Sequence, residues 1–191
     1  MALGKQAKVL NSKQVDVLLH HVGKLRHARR NQVIVLLSVR AGLRAKEVAN
    51  LKWSMVVGAD GQVGDYIHLT DDASKGRSGR IIPLNKQLKA ALSDLHGMGQ
   101  GEWVISTERS VRTSAQAIVN LFHCWYRDLG LVGCSSHSGR RTFITNAARK
   151  ISTVGGSLRD VQNLAGHSSL QTTQRYIEGD SEARRLVVNL V

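Results

Sequence analysis

The sequence predicts a mainly α domain with one small antiparallel β-sheet, an α+β arrangement. Three observations predict it. Apolar residues recur at helical spacing through most of the chain, as in Leu88, Ala91, Leu92 and Leu95, which marks one buried helix face. Between Trp53 and Pro83 that period gives way to short apolar stretches divided by Gly and Asp, the pattern of strands and turns. At 191 residues the chain is long enough for one well-buried core.

Residues 1–11 read as a loose basic tail. Ser12 reads as the N-cap of a helix with Val15, Leu18 and Leu19 on one face. Lys24, Arg26, Arg29 and Arg30 follow as a basic cluster. A solvated loop and a phosphate-contacting surface explain that cluster equally well. The run Val33 to Leu37, with Val39, predicts a buried helix, Gly42 its stop, and Arg44 to Leu51 a short second helix. Arg44 then sits on the shoulder of the core.

Met55-Val56-Val57, Tyr66-Ile67-His68-Leu69 and Arg80-Ile81-Ile82-Pro83 are expected as three strands. The turn before the third carries Lys75, Arg77 and Arg80, with Gly76 and Gly79 between them. It is either an ordinary basic hairpin tip or a flexible finger that delivers Lys75 to a phosphate or leaving group. Helices are expected over 86–95, over 114–129 and over 137–150, the last capped by Ser135 or Ser136. A helix capped by Ser157 should end at Gly166. Another, capped by Ser168 or Ser169, should run through Tyr176. Beyond Asp180, the stripe Ala183, Leu186, Val187, Leu190 predicts a last short helix.

Lys and Arg number 27 against 14 Asp and Glu, for a net charge of +13 and a pI near 10.5. Such an excess suits a polyanion, because Lys and Arg that neutralise phosphates release counterions. Aromatic residues are only 4%, too few for the stacking platform of an RNA-binding module. The longest apolar run, Val33 to Leu37, is far too short to span a bilayer. Val9-Leu10 is followed at once by Asn11-Ser12-Lys13, so no signal-like apolar region forms. Cys124 and Cys134 lack C-x-x-C spacing and read as reduced, packed thiols. These features point to a soluble, cytoplasmic, nucleoid-associated protein whose partner is double-stranded DNA, with no membrane contact.

The stretch His137 to Tyr176 is the richest in chemistry. It holds His137-Ser138-Gly139-Arg140-Arg141-Thr142-Phe143, then Gly166-His167-Ser168-Ser169, then Thr172-Thr173-Gln174-Arg175-Tyr176. Attack on a phosphodiester builds negative charge on the non-bridging oxygens, and the guanidiniums of Arg44 and Arg140 suit it. His137 and His167 are candidates for hydrogen bonding or proton movement. Lys75 is a candidate proton donor to the departing alkoxide. Tyr176 is the candidate nucleophile, since a phenol with a pKa of about 10 makes a reversible covalent link. Each member alone has an ordinary explanation: a packed tyrosine, a surface arginine pair, a helix C-cap. No Asp, Glu or Cys follows His137 at ligand spacing, so no metal site and no cofactor is expected.

In this order, the residues resemble the tyrosine recombinases, also called the phage integrase family. Ala41-Gly42-Leu43-Arg44-Ala45-Lys46-Glu47-Val48 resembles that family's first arginine box. Lys75 matches its hairpin lysine, and His137 to Phe143 its H-x-x-R box. Leu164-Ala165-Gly166-His167 matches the leucine-glycine-histidine box, and Tyr176 lies nine positions on, where the family nucleophile stands. The resemblance covers about residues 12 to 180, and implies a catalytic domain over that span.

It implies further that Arg44, Arg140 and His167 bind the scissile phosphate while Tyr176 attacks to form a 3′-phosphotyrosyl link. Lys75 then protonates the 5′ oxygen and His137 assists. Integration, excision and inversion are all within that chemistry. A homotetramer on DNA is implied, with residues 181–191 as the segment exchanged between protomers, and an accessory DNA-bending protein is left open. Lys24, Arg26, Arg29, Arg30, Arg77, Arg80 and Arg141 are the expected DNA contacts. Gly139 departs from the family, which commonly has a large aliphatic residue there, and is expected to loosen the helix start. Only about a dozen residues precede the first helix, which fits either a catalytic fragment or a small single-domain member. The competing readings are a type IB topoisomerase and a non-catalytic DNA-binding regulator.

Overall fold

In the computed structural model, which describes residues 7–74, 78–98, 101–107, 110–176 and 188–189, the core is built around α2 (Ala28–Arg40). Val33 to Val39 are all buried, as a helix apolar on nearly every face must be. Around α2 pack α1 (Ser12–Gly23), α4 (Lys86–His96) and α6 (Ser138–Lys150). α3 (Ala45–Ala49) follows α2 after the Gly42 break and packs on α5 (Ala115–Asp128). α7 (Leu158–Ala165) and α8 (Leu170–Gln174) complete the order. The buried face of α5 is Ile118, Phe122, Trp125 and Tyr126.

The sheet has two strands, not the three expected. β1 (Tyr66–Leu69) pairs antiparallel with β2 (Arg80–Pro83), with Ile67 opposite Ile82 and Leu69 opposite Arg80. Trp53–Met55 curls into a 3-10 turn instead. The Met55 and Val56 amides bond back to Lys52 O and Trp53 O, three residues before each, while the Trp53 amide donates to Glu102 O, and i to i−3 bonds of this kind close a turn rather than a ladder. Val57 keeps only an isolated bridge to Val63.

Three local expectations also change. The N-cap of α1 is Asn11, whose side chain accepts from the Gln14 amide while Gln14 reaches back to Asn11. This reciprocal pair satisfies two orphan donors. Of the expected basic tail, residues 1–6 lie outside the described residues; next to Asn11, Leu10 is buried, its amide donates to Thr142 Oγ1 at 2.8 Å, and the Lys8 amide donates to Gly133 O. At the start of α6, neither Ser135 nor Ser136 caps the helix. His137 occupies the cap position, and Ser135 Oγ accepts from the His137 amide.

Gly139 does not loosen α6; it lets α6 lie against α2. A Cβ built on Gly139 would overlap Ser38 Oγ and lie 2.9 Å from Ser38 Cβ and 3.1 Å from Val39 Cγ1. Gly139→Leu should therefore destabilise the fold by about 1–3 kcal/mol through overpacking. That is a fall in melting temperature of roughly 2–12 °C, readable in a thermal melt. An unchanged melting temperature would show that the two helices separate there at no cost.

Candidate active site

α6 runs between two apolar clusters. One is the main core around α2; the other is Ile144, Val161 and Ala165, with Phe143 and Tyr176 against them. Arg140 links the two sides. It is 4% exposed, and its guanidinium donates to Gly42 O and to Ala165 O, both at 2.6 Å. Gly42 stands at φ +66°, and a Cβ there would overlap the Phe143 ring. Only glycine meets both demands, so the break after α2 also supplies the carbonyl that holds Arg140. Burial, then the nearby charge of Arg44, lowers the Arg140 pKa to about 10. The side chain remains a cation at neutral pH.

Leu164 and Ala165 end α7, where carbonyls lack helical partners. Arg80 Nε donates to Leu164 O at 2.8 Å, as Arg140 does to Ala165 O. Two cations thus occupy the negative end of α7, a favourable placement. They fix the turn that presents His167. Gln162 Nε2 donates to His167 O at 2.9 Å and strengthens the same turn.

Under these cations lies Glu47, fully buried. It accepts from Arg44 Nη1 at 2.8 Å, from the Arg44 amide, and from both Arg80 amino nitrogens at 3.1 Å. Burial alone pushes its carboxyl up, but the hydrogen bonds and charges of Arg80 and Arg44 outweigh that and hold it below its ordinary value. Glu47 orients Arg44 from beneath while leaving it partly exposed.

Arg80 was expected at DNA, and the structure corrects this. Its side chain is 6% exposed and committed to Glu47 and Leu164. The alternation of β2 places Arg80 on the face of buried Ile82, since residues two apart in a strand share a side.

His167 is half-buried, with Nδ1 2.9 Å from Thr173 Oγ1. Its ring stacks on Tyr176, with centroids 5.5 Å apart and planes 23° from parallel. The Arg141 guanidinium lies over the other ring partner, 5.7 Å from the Tyr176 centroid. A Thr173 hydroxyl donating to Nδ1 leaves the proton on Nε2, the tautomer that offers a donor to an anion.

One cleft of about 500 Å³ collects the result. Arg44, His137, Arg140, Arg141, His167, Arg175 and Tyr176 line it, with no carboxylate among the described lining residues. Five of the six residues expected in catalysis therefore meet here, from three separate parts of the chain. The sixth, Lys75, and the expected contact Arg77 lie outside the described residues. Lys24, Arg26, Arg29 and Arg30 are not brought to the cleft. They lie at the other end of α2, and Arg26, Arg29 and Arg30 line two different cavities. Sequence reasoning missed Glu47, Gln162, Thr173 and Arg175. Glu47 had a local signal, an acid three residues after Arg44 at a helix start.

Burial, followed by the charges of Arg140, Arg44 and Arg80, lowers the His167 pKa to about 4. The unfolded chain titrates near 6.5. Between those values the unfolded form binds the extra proton, so His167 makes stability fall as pH drops through about 6.5 to 4. The imidazole resonances of His167 should titrate with a midpoint near 4. Millimolar sulfate in the cleft should move that midpoint upward, because an anion offsets the arginines. A free midpoint near 6.5 would contradict this electrostatic account.

The phage integrase family model matches residues 8–182. The tyrosine recombinase XerA of Thermococcus kodakarensis is 29% identical over 175 residues, covering 88% of this chain and 57% of that protein. The tyrosine recombinase XerC of Pseudomonas putida is 30% identical over 159 residues, covering 80% and 49%. The chain spans about half the length of the curated relatives it matches. The crystal structure of XerA recombinase superposes with a TM-score of 0.75 at 23% identity, covering 97% of this chain and 65% of that one. A lambda integrase dimer bound to a core site gives a TM-score of 0.69 at 20% identity, covering 95% and 63%. These structures share the mainly α fold with its small antiparallel sheet, and the sequence match extends over nearly the whole chain: it belongs to the phage integrase family, the tyrosine recombinases.

Proposed function

We propose that this chain cuts and rejoins duplex DNA at specific sites through a covalent link to Tyr176. The observation that carries the reading is the cleft itself. Arg44, Arg140, His137, His167 and Tyr176 line one cavity whose described walls hold no carboxylate. Such a cavity suits a phosphodiester in a way that it suits no cation or neutral ligand. Family membership and the net charge of +13 support DNA as the polyanion.

The Tyr176 oxygen attacks phosphorus and loses its proton, and the bond from phosphorus to the 5′ oxygen breaks. That oxygen takes up a proton and leaves as a hydroxyl, while the 3′ end stays on Tyr176 as a phosphodiester. A 5′ hydroxyl then reverses the reaction, so no outside energy source is required. Arg44 and Arg140 hold the non-bridging oxygens, where charge develops. His167, neutral above about pH 4 in the free chain, donates a hydrogen bond to one of them. His137 is exposed at the start of α6 and assists proton movement. The leaving-group role of Lys75 rests on sequence alone, as does exchange of the segment 181–191 between protomers of a tetramer; Lys75 and nearly all of that segment lie outside the described residues. Action on cytoplasmic, nucleoid DNA follows from this reading. No helix among the described residues is long and apolar enough to cross a membrane.

A nicked, end-labelled duplex carrying the attachment site tests the proposal. The expected result is an adduct stable in detergent, with the label on the peptide that contains Tyr176. Tight binding without any adduct would favour the non-catalytic regulator, and relaxation of supercoils without recombinant products would favour the topoisomerase.

A further inference from the structure

The N-terminal end of α2 takes no part in the cleft. It lies about 20 Å along the helix from Gly42, whose carbonyl holds Arg140. No side chain of the cap residue closes its first turn, which holds Arg29 and Arg30 and no acid. The positive end of the helix dipole and two guanidiniums thus stand together, a set that an anion stabilises. His27, at the cap position, has φ +64°, and among the described residues no other residue except glycine has a positive φ. Strained backbone of this kind gathers at ligand sites.

Beside this end lies a cavity of about 540 Å³, in the range that takes a small molecule. Arg26, Arg30, Thr113 and Asn120 give it polar groups, and Ile105 and Leu121 give it apolar wall. Buried Asn31 accepts from Arg30 Nε and Nη2 at 3.2 and 2.9 Å and donates to Arg26 O at 3.0 Å. The Arg30 guanidinium is therefore positioned before any ligand arrives, which lowers the cost of binding one. Thr113 is an independent sign. It is 3% exposed, and its Oγ1 has no hydrogen-bond partner among the described residues. A buried hydroxyl left without a partner is costly, and a carboxylate supplies the acceptor it lacks.

We infer that this cavity binds a small organic anion, a carboxylate carried on an apolar, aromatic-sized body. Arg30, the Thr113 hydroxyl and the first turn of α2 take the carboxylate. Ile105 and Leu121 take the body. A neighbouring cavity of about 640 Å³ shares His27 and Arg30 and adds Trp53, Leu95 and Trp103, so the apolar surface extends past the charged rim. A backbone phosphate of DNA carries no apolar group to cover such walls, and a free organic anion does.

Calorimetric titration of the full chain with 1-naphthoate tests the site, with inorganic sulfate as the charge-only probe and 1-naphthalenemethanol as the apolar-only probe. Naphthoate should bind with a Kd of about 0.1 mM, and each of the other two at least about tenfold more weakly. Thr113→Val keeps the size of the side chain and removes the unpartnered hydroxyl. The variant should therefore melt no lower than wild type, yet bind naphthoate about tenfold more weakly. Arg30→Gln should lose a similar factor. Cys124 lines the cavity and Cys134 does not, and both are free thiols. At about ten times its Kd, naphthoate should slow alkylation of Cys124 by iodoacetamide about tenfold and leave Cys134 unchanged. Wild-type affinity in Thr113→Val, or an unprotected Cys124, would place the bound naphthoate elsewhere, the cationic cleft included, and overturn the inference. Sulfate binding as tightly as naphthoate would overturn the apolar half of it. Displacement of naphthoate by a duplex of unrelated sequence would overturn it too, and make the cluster a DNA contact.

Discussion

Tyr176→Phe should abolish the covalent DNA adduct, a fall of about ten-thousand-fold or more, while duplex affinity changes by less than about twofold. The substitution removes one oxygen and keeps the ring. The stack on His167 at 5.5 Å, the Arg141 contact and the packing against Ile144, Val161 and Ala165 are ring properties, so they persist. Stability should shift by no more than about 0.5 kcal/mol. Chemistry and folding therefore separate cleanly in this variant. Adduct gels and a thermal melt on the same preparation check both halves. An adduct that survives the substitution would remove Tyr176 as nucleophile, whatever the cleft looks like.

Glu47→Ala should give the largest loss of stability. The carboxylate is fully buried and accepts from two arginines and a backbone amide. Without it Arg80, 6% exposed, is a buried cation with no counter-charge beside Arg44 and Arg140. Breaking a buried pair in this way costs about 3–5 kcal/mol, or roughly 6–20 °C in melting temperature for a chain of this size. Glu47→Gln keeps the shape and one acceptor oxygen, while its amide NH2 faces donors that the second carboxylate oxygen accepts from, so it should lose less than Glu47→Ala but still destabilise. The pH dependence has a definite sign. The folded carboxyl titrates below its ordinary value, so its stabilisation is present above the unfolded pKa of about 4.5 and is lost as pH falls below it. His167 adds a loss of the same sign at slightly higher pH. Wild type should therefore melt progressively lower from about pH 6.5 downward, and Glu47→Ala should show less of that dependence. A Glu47→Ala melt within 1 °C of wild type would mean the arginines do not need their buried partner.

The sequence by itself determined the helix order, the break at Gly42 and the stop at Gly166. Each depends on residues within a turn or two of one another: apolar periodicity, a cap, a glycine. It also picked out the candidate residues Arg44, His137, Arg140, His167 and Tyr176 that the fold brings to one cleft, because the boxes that hold them are local and ordered. Tertiary structure alone decided where the cations point. Arg80 reads as a DNA contact from its neighbours Lys75 and Arg77, yet it pairs with Glu47, 33 positions away. Gly139 reads as a weak helix start, yet its missing side chain makes room for Ser38 on α2. Met55 to Val57 reads as a strand, yet the segment is pinned by the Trp53 amide donating to Glu102 O and curls into a 3-10 turn over Trp53–Met55. In every such case the deciding partner is distant in sequence, and local propensity is too weak, at a fraction of a kcal/mol per residue, to oppose the burial of a charge or an apolar side chain.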